Sequence, residues 1–104
     1  MAERLNKDSF QEKVLNASGL AIADFYSDSC IPCKKLSPIL ADLDEKYPDV
    51  YIGKVNIVYK QELIEEYSVM SSPVLIFFKN GEEVDRITGA VSKHKIEEAI
   101  EKNK

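Results

Sequence analysis

The chain has 104 residues, of which 44% are hydrophobic and 31% are charged, and its formal net charge at pH 7 is −4. A chain of this length can bury a core without a disulfide framework or a metal ion, so we expect residues 1–104 to form one domain. Acidic and basic residues are interspersed, which argues against a nucleic-acid surface and a polybasic membrane surface. No apolar run approaches the about 20 residues of a membrane span, and the polar N-terminal segment does not resemble a secretory signal, so we expect a cytoplasmic protein.

The N-terminal part of the chain predicts a short helix followed by a buried strand. Ser9 and Glu12 have the spacing of a capping box, which predicts that the helix opens at Ser9. Residues 20–26, LAIADFY, are almost continuously apolar, as is typical of a strand that is buried on both faces. Asp24 interrupts this run, and a buried carboxylate is costly. It is either paired locally at the strand end or functional.

An amphipathic helix is predicted after the two cysteines of the chain. Its apolar face has helical spacing and consists of Leu36, Ile39, Leu40, Leu43 and Tyr47. Pro38 lies inside this helix and predicts a kink.

The second half of the chain predicts three strands and two further helices. The strands cover residues 50–58, 74–78 and 82–88. Asn80-Gly81 between the last two is a strong hairpin signal, and the imperfect alternation after it indicates an edge strand. A short helix carries Leu63, and the last helix runs from about Ser92. Strands that alternate with helices and end in a hairpin indicate an α/β domain with a mixed sheet.

The two cysteines, Cys30 and Cys33, lie where the first buried strand meets the amphipathic helix. Unpaired N–H groups and positive partial charge at a helix N-terminus stabilise a thiolate. Lys34 and Lys35 add positive charge, and Asp28 opposes it. We therefore expect Cys30 to be the nucleophile, and Cys33, one turn into the helix, to resolve the mixed disulfide.

The spacing of the cysteines suits a disulfide that opens and closes. Residues three apart lie on one helical face, and the ring that such a bridge closes is very short. Pro32 fits the first helical turn, where its missing N–H is not needed. A structural zinc site needs four ligands, whereas the chain offers two cysteines and the distant His94. A purely structural disulfide is disfavoured by the expected compartment and by the short ring.

Taken together, these motifs resemble the thioredoxin family over essentially the whole chain. The segment DFYSDSCIPCK, residues 24–34, is similar to the family's strand and its Trp-Cys-Gly-Pro-Cys-Lys motif. Further matches are the helix proline, the strand lysine, the cis-proline loop and the glycine loop, which correspond to Pro38, Lys54, Ser72-Pro73 and Gly89-Ala90.

The resemblance implies a thioredoxin fold, with a central mixed β-sheet of about five strands flanked by four helices. It implies a protein-disulfide reductase whose only redox group is the Cys30–Cys33 dithiol or disulfide, with no other cofactor and no metal. Thioredoxin reductase or an equivalent electron donor would supply electrons, and oxidised protein disulfides would be the substrates. We expect a monomer.

The resemblance also implies roles for other residues. Asp24 would be the general base for Cys33, and Lys54 its charge partner, although a strand lysine alone is more often simply solvated. The Ser72–Pro73 peptide bond would be cis, although most such bonds are trans. Substrate contacts are implied for Ile31, Pro32, Ser72, Pro73, Gly89 and Ala90.

Two departures from the family pattern lie beside the cysteines. Ser29 stands where the family has tryptophan, and Ile31 stands where it has glycine. A β-branched residue stiffens the turn and presents an apolar tip. Two alternatives therefore stay open: a non-catalytic binding module on the same fold, and a client-specific redox protein with its own reductase.

Overall fold

The computed structural model describes residues 3–58, 61–89 and 91–104. In these ranges the chain forms five strands: β1 (Glu3–Arg4), β2 (Leu20–Tyr26), β3 (Tyr51–Asn56), β4 (Val74–Lys79) and β5 (Glu82–Thr88). It also forms four helices: α1 (Lys7–Phe10), α2 (Ile31–Lys46), α3 (Gln61–Glu66) and α4 (Lys93–Asn103). A π-helical turn, Gln11–Leu15, continues α1.

The five strands form one mixed sheet in the order β1-β3-β2-β4-β5. The pairs β1–β3 and β2–β3 are parallel, whereas β2–β4 and β4–β5 are antiparallel. The predicted α/β architecture with a central mixed sheet is therefore confirmed. Four of the strands are long, whereas β1 has only two residues and was not located from the sequence.

Both faces of the sheet are covered, so strand β2 is buried along its whole length. Helices α2 and α4 pack on the face that carries Leu20 and Ile22, and α1, the π-helical turn and α3 pack on the face that carries Ala21 and Ala23. Side chains alternate between the faces of a strand. Asp24 therefore lies on the face that α2 covers.

The predicted start of the first helix is wrong by three residues. The capping pair is Asn6 and Ser9: the Asn6 N–H donates to Ser9 Oγ at 2.9 Å, and the Ser9 N–H donates to Asn6 Oδ1 at 2.8 Å. This is the reciprocal arrangement of a capping box, with Ser9 as its second member instead of its first.

Other local predictions are confirmed. Pro38 lies inside helix α2, as predicted, whereas the kink expected there stays a prediction. Ser92 Oγ caps α4 by accepting the N–H of Lys95. The hairpin turns at Asn80 and Gly81, whose φ values are +56° and +81°. Positive φ at both central residues gives a turn whose twist matches that of the paired strands. The last strand, β5, lies at the edge of the sheet.

Candidate active site

Cys30 and Cys33 are joined by a disulfide at the N-terminus of α2, with 5.2 Å between their Cα atoms. Cys30 is the N-cap residue, and its Sγ accepts the backbone N–H of Cys33 at 3.1 Å. The first turn of α2 contains no acidic residue. This geometry stabilises negative charge on the Cys30 sulfur, because a helix N-terminus presents N–H donors and positive partial charge there.

The two sulfurs differ in their access to solvent. Cys33 is 4% exposed, whereas Cys30 is only partly buried. Ile31, between them, is 67% exposed and forms the predicted apolar tip. An incoming disulfide therefore meets Cys30 first.

Asp24 is fully buried, and neither of its carboxylate oxygens has a hydrogen-bond partner in the part of the chain that the structure describes. The alternative that it is paired locally at the strand end is therefore wrong. Burial raises the pKa of this carboxyl to about 7, and the charge of Lys54 opposes the shift. The carboxyl is balanced between its two protonation states near neutral pH, as suits a group that exchanges protons.

Lys54 is the neighbour of Asp24 across the β2–β3 pair. Its Nζ lies 4.5 Å from the centre of the Tyr26 ring and 3.5 Å from Ser37 Oγ. The ammonium thus faces an open cleft of about 210 Å³ beside Cys33. The cleft is lined by Tyr26, Ser27, Asp28, Cys33, Lys34, Ser37 and Lys54.

The predicted cis peptide bond at Ser72–Pro73 is confirmed. Val74, which follows Pro73, pairs with Phe25 near the C-terminal end of β2. Pro73 therefore lies at the same end of the sheet as the cysteine motif, which follows β2. The Gly89 N–H donates to the Pro73 carbonyl at 2.8 Å, and Gly89 has φ +88°. The structure thus joins the predicted Pro73 and Gly89 directly. Ala90 lies outside the described residues.

The surface beside Cys30 differs from the family pattern at Ser29. Its Oγ lies 3.0 Å from Ser27 Oγ, and its N–H donates to the same oxygen at 3.3 Å. The Cys30 N–H also donates to the Ser27 carbonyl at 3.1 Å. The segment before Cys30 is therefore a turn held by hydrogen bonds between Ser27 and Ser29, and it lacks the large aromatic side chain that the family has at the position of Ser29.

Met70 is a surface residue for which the sequence predicts no definite role. It is 92% exposed and lies three residues before Pro73. A single exposed apolar side chain is common on protein surfaces, so exposure alone assigns Met70 no role. In the sequence, the one indication of a role for Met70 is its position close to the cis-proline.

The substitution Asp24→Asn tests the burial of this carboxyl through protein stability. The pKa is about 7 in the folded protein, against an ordinary value of 3.8. Between these values the folded protein holds a proton that the unfolded chain releases, so wild-type stability falls as pH rises from about 4 to about 7. The full shift corresponds to about 4 kcal/mol. We expect the oxidised Asp24→Asn variant to be more stable than wild type by up to this amount at pH 8, and the difference to shrink towards pH 4.

Urea unfolding of both proteins at pH 4, 6 and 8 measures this difference. The exposed Asp49 offers a matched control, because Asp49→Asn removes the same charge at the surface. A stability difference that is the same at pH 4 and pH 8 would show that Asp24 does not titrate abnormally.

Comparison with known proteins agrees with the fold and the site. A family model for thioredoxin matches residues 1–102. A thioredoxin of Chlamydia pneumoniae is 39% identical over 103 residues, which cover 99% of each chain. A thioredoxin of Buchnera aphidicola subsp. Acyrthosiphon pisum is 37% identical over 100 residues, which cover 95% of this chain and 93% of its own. The X-ray structure of Fasciola hepatica thioredoxin has a TM-score of 0.89 and 33% identity, and covers 98% of this chain and 99% of its own.

A cysteine pair that forms a disulfide at a helix N-terminus, on a mixed sheet with a cis-proline loop, defines a thiol–disulfide oxidoreductase. The chain belongs to the thioredoxin family, and its Cys30–Cys33 pair carries protein-disulfide reductase chemistry.

The described residues offer neither a metal-binding cluster nor a membrane-spanning helix. In these ranges, no group of three or more His, Cys, Asp or Glu side chains is placed so that it could hold a metal ion. Among the helices of the same ranges, none combines the length and the apolar character needed to cross a membrane.

Proposed function

We propose that this protein reduces disulfides of other proteins in the cytoplasm, with thioredoxin reductase or an equivalent electron donor returning it to the dithiol form. One observation carries the proposal: the Cys30 Sγ caps helix α2 by accepting the Cys33 N–H, whereas Cys33 itself is buried. The first position favours a nucleophilic thiolate, and the second favours a thiol that acts only after substrate has bound.

The reaction proceeds in two exchanges. The Cys30 thiolate attacks one sulfur of the substrate disulfide, forms a mixed disulfide and releases the other substrate sulfur as a thiolate. Cys33 then attacks Cys30 Sγ, which forms the Cys30–Cys33 bond and releases the second substrate sulfur. The substrate gains two electrons and two protons, and the electron donor later returns two electrons to the protein.

Asp24 is the proposed general base for the second exchange, because the Cys33 thiol must lose its proton before it attacks. Its pKa of about 7 suits proton transfer at neutral pH. The cleft beside Cys33 offers room for water, and Lys54, the neighbour of Asp24 on β3, lines it. Lys54 stabilises the ionised carboxylate and thereby limits how far burial raises its pKa.

The substrate contacts the surface around the cysteines. The backbone at Ser72 and Pro73 pairs with an extended substrate segment, as a strand edge does with a peptide. Ile31 and Pro32 contact the substrate beside its disulfide. Gly89 leaves the approach open, since a Cβ at this position would meet no atom within 4 Å. The resemblance to the family also implies a substrate contact for Ala90.

The remaining parts of the proposal concern the state of the protein. We infer that residues 1–104 act as a single domain, which the match of the family model to residues 1–102 supports. The protein acts as a monomer and uses no cofactor other than its own disulfide. Its partners are the electron donor and oxidised protein disulfides, and we expect it to bind neither nucleic acid nor a membrane.

A second candidate is a client-specific redox protein with its own reductase. Its support is the cysteine motif itself, where Ser29 replaces the family's tryptophan and the apolar side chain of Ile31 is exposed. The exposed Met70, three residues before Pro73, is a further apolar side chain that a client could contact. Capture of mixed disulfides by Cys33→Ser separates the candidates, because a general reductase captures many proteins and a specialist captures one or a few.

Insulin reduction in the presence of dithiothreitol tests the proposed function. We expect the wild-type protein to accelerate precipitation of the insulin B chain well above dithiothreitol alone. The double substitution Cys30→Ser and Cys33→Ser is the control for a non-catalytic binding module, and it should remove the acceleration. If wild type and the double variant were equally slow, general protein-disulfide reduction would be excluded. Capture by Cys33→Ser would then distinguish a client-specific redox protein, which captures its client, from a binding module, which captures none.

A further inference from the structure

Arg86, on the edge strand β5, ties the end of α3 to the sheet. Its Nη2 donates to the carbonyl of Tyr67 at 2.7 Å, and its Nη1 lies 3.5 Å from the carbonyl of Ser68. Nε and Nη2 each also donate to a different carboxylate oxygen of Glu83 at 2.8 Å. Glu83 thus binds one edge of the planar guanidinium, and the backbone carbonyls bind another. The guanidinium can do both because its five N–H donors point in fixed directions in one plane.

The two carbonyls belong to the point where the chain leaves α3. Carbonyls at a helix C-terminus have no partner within the helix, and cationic side chains commonly bind them. Ser68 has φ +53°, which is left-handed backbone at a residue other than glycine. Arg86 therefore supports the turn that redirects the chain from α3 into the cis-proline loop.

The segment that begins at this turn is the substrate-facing loop, defined here as residues 67–73. It contains the exposed Met70 and ends at the cis peptide of Ser72–Pro73. Strand β5 and the glycine that follows it hold the loop at both ends: Arg86 binds its first two carbonyls, and the Gly89 N–H donates to the Pro73 carbonyl. The exposed middle lies between these two anchors.

We propose that Arg86 is a positioning residue that holds the substrate-facing loop in the conformation that protein substrates bind. Arg86 itself contacts no substrate and no sulfur; it acts through the carbonyls of Tyr67 and Ser68. The inference rests on the proposed function, since it assigns a cause to the shape of the substrate surface. A small disulfide needs only access to Cys30, whereas an extended protein segment also needs the loop.

Rates of reduction of two substrates by the pre-reduced protein test this role. We expect Arg86→Ala to lower the second-order rate constant for insulin at least fivefold and to leave that for 5,5′-dithiobis(2-nitrobenzoate) within twofold of wild type. Arg86→Lys keeps the positive charge but lacks the planar set of N–H donors. Its rate constant with insulin should therefore fall less than that of Arg86→Ala. Equal losses with both substrates, or no loss with insulin, would overturn the proposal.

A matched control comes from a second hydrogen bond between β5 and a helix. Asn103 Nδ2 on α4 donates to Oδ2 of Asp85, the residue before Arg86, at 2.9 Å. Helix α4 packs on one face of the sheet, whereas Tyr67 and Val69 of the loop pack on the opposite face. Asn103→Ala should leave both rate constants within twofold of wild type. If Asn103→Ala reproduced the selective loss with insulin, general loosening of β5 would explain the result and the proposal would be wrong.

Amide hydrogen exchange keeps the test independent of activity. In Arg86→Ala, peptides that cover residues 67–73 should exchange at least tenfold faster, and peptides from β2 should be unchanged. Unaltered exchange in the loop would refute positioning by Arg86 even if the kinetics changed. Failure of the wild-type protein to reduce insulin would instead refute the proposed function, and the exchange result would still decide whether Arg86 holds the loop.

Discussion

Replacing Cys30 with serine should reduce insulin reduction to the rate of dithiothreitol alone, a loss on the order of a thousandfold or more in the catalysed rate. A serine hydroxyl at neutral pH is a far weaker nucleophile than a thiolate. Cys33 cannot substitute for Cys30, because only 4% of it is exposed. The variant separates chemistry from folding, since serine is itself a favourable N-cap residue and preserves the bond that the Cys33 N–H makes.

The control for this variant is its own stability. Wild type and Cys30→Ser, both reduced, should unfold at similar urea concentrations, so that lost activity cannot be attributed to an unfolded chain. Retention of half the wild-type rate by a folded Cys30→Ser protein would exclude Cys30 as the attacking group.

Replacing Cys33 with serine should stop the cycle at its midpoint. Cys30 still attacks, but no thiol is placed to resolve the mixed disulfide, so insulin turnover should fall about a hundredfold or more and an insulin adduct should accumulate. Release of the adduct then depends on slow attack by dithiothreitol or by a thiol of the substrate. Non-reducing electrophoresis after acid quenching measures the adduct, and the insulin assay measures the turnover.

The double variant Cys30→Ser and Cys33→Ser is the control for the trapping experiment, and it should form no adduct. Turnover close to wild type in Cys33→Ser would mean that a substrate thiol or dithiothreitol resolves the intermediate as fast as Cys33 does. Cys33 would then have no catalytic role.

Much of the fold followed from hydrophobic pattern because the sheet is covered on both faces. An apolar run such as residues 20–26 has few alternatives to a central strand, and Asn80-Gly81 is favoured in a two-residue hairpin by its tolerance of positive φ. Asp24 stood out for the same reason: one carboxyl in a buried strand requires an explanation, and the structure leaves it unpaired within the described residues.

The features that the sequence did not reveal depend on contacts between distant residues. Strand β1 has two polar residues and owes its existence to β3. Asn6, not Glu12, completes the capping box, because the chain before Ser9 already turns into the helix. In the sequence, Arg86 is an ordinary charged residue of an edge strand, because the carbonyls that it binds belong to residues 67 and 68, which are distant along the chain.

Intact mass spectrometry of the two single cysteine variants tests the central claim most directly. Reduced Cys33→Ser and reduced Cys30→Ser are each mixed with insulin, quenched with acid and weighed. If Cys30 attacks and Cys33 resolves, Cys33→Ser carries an insulin chain through a mixed disulfide and Cys30→Ser stays unmodified. Equal modification of both variants, or modification of Cys30→Ser alone, would contradict the assignment of roles to the two cysteines.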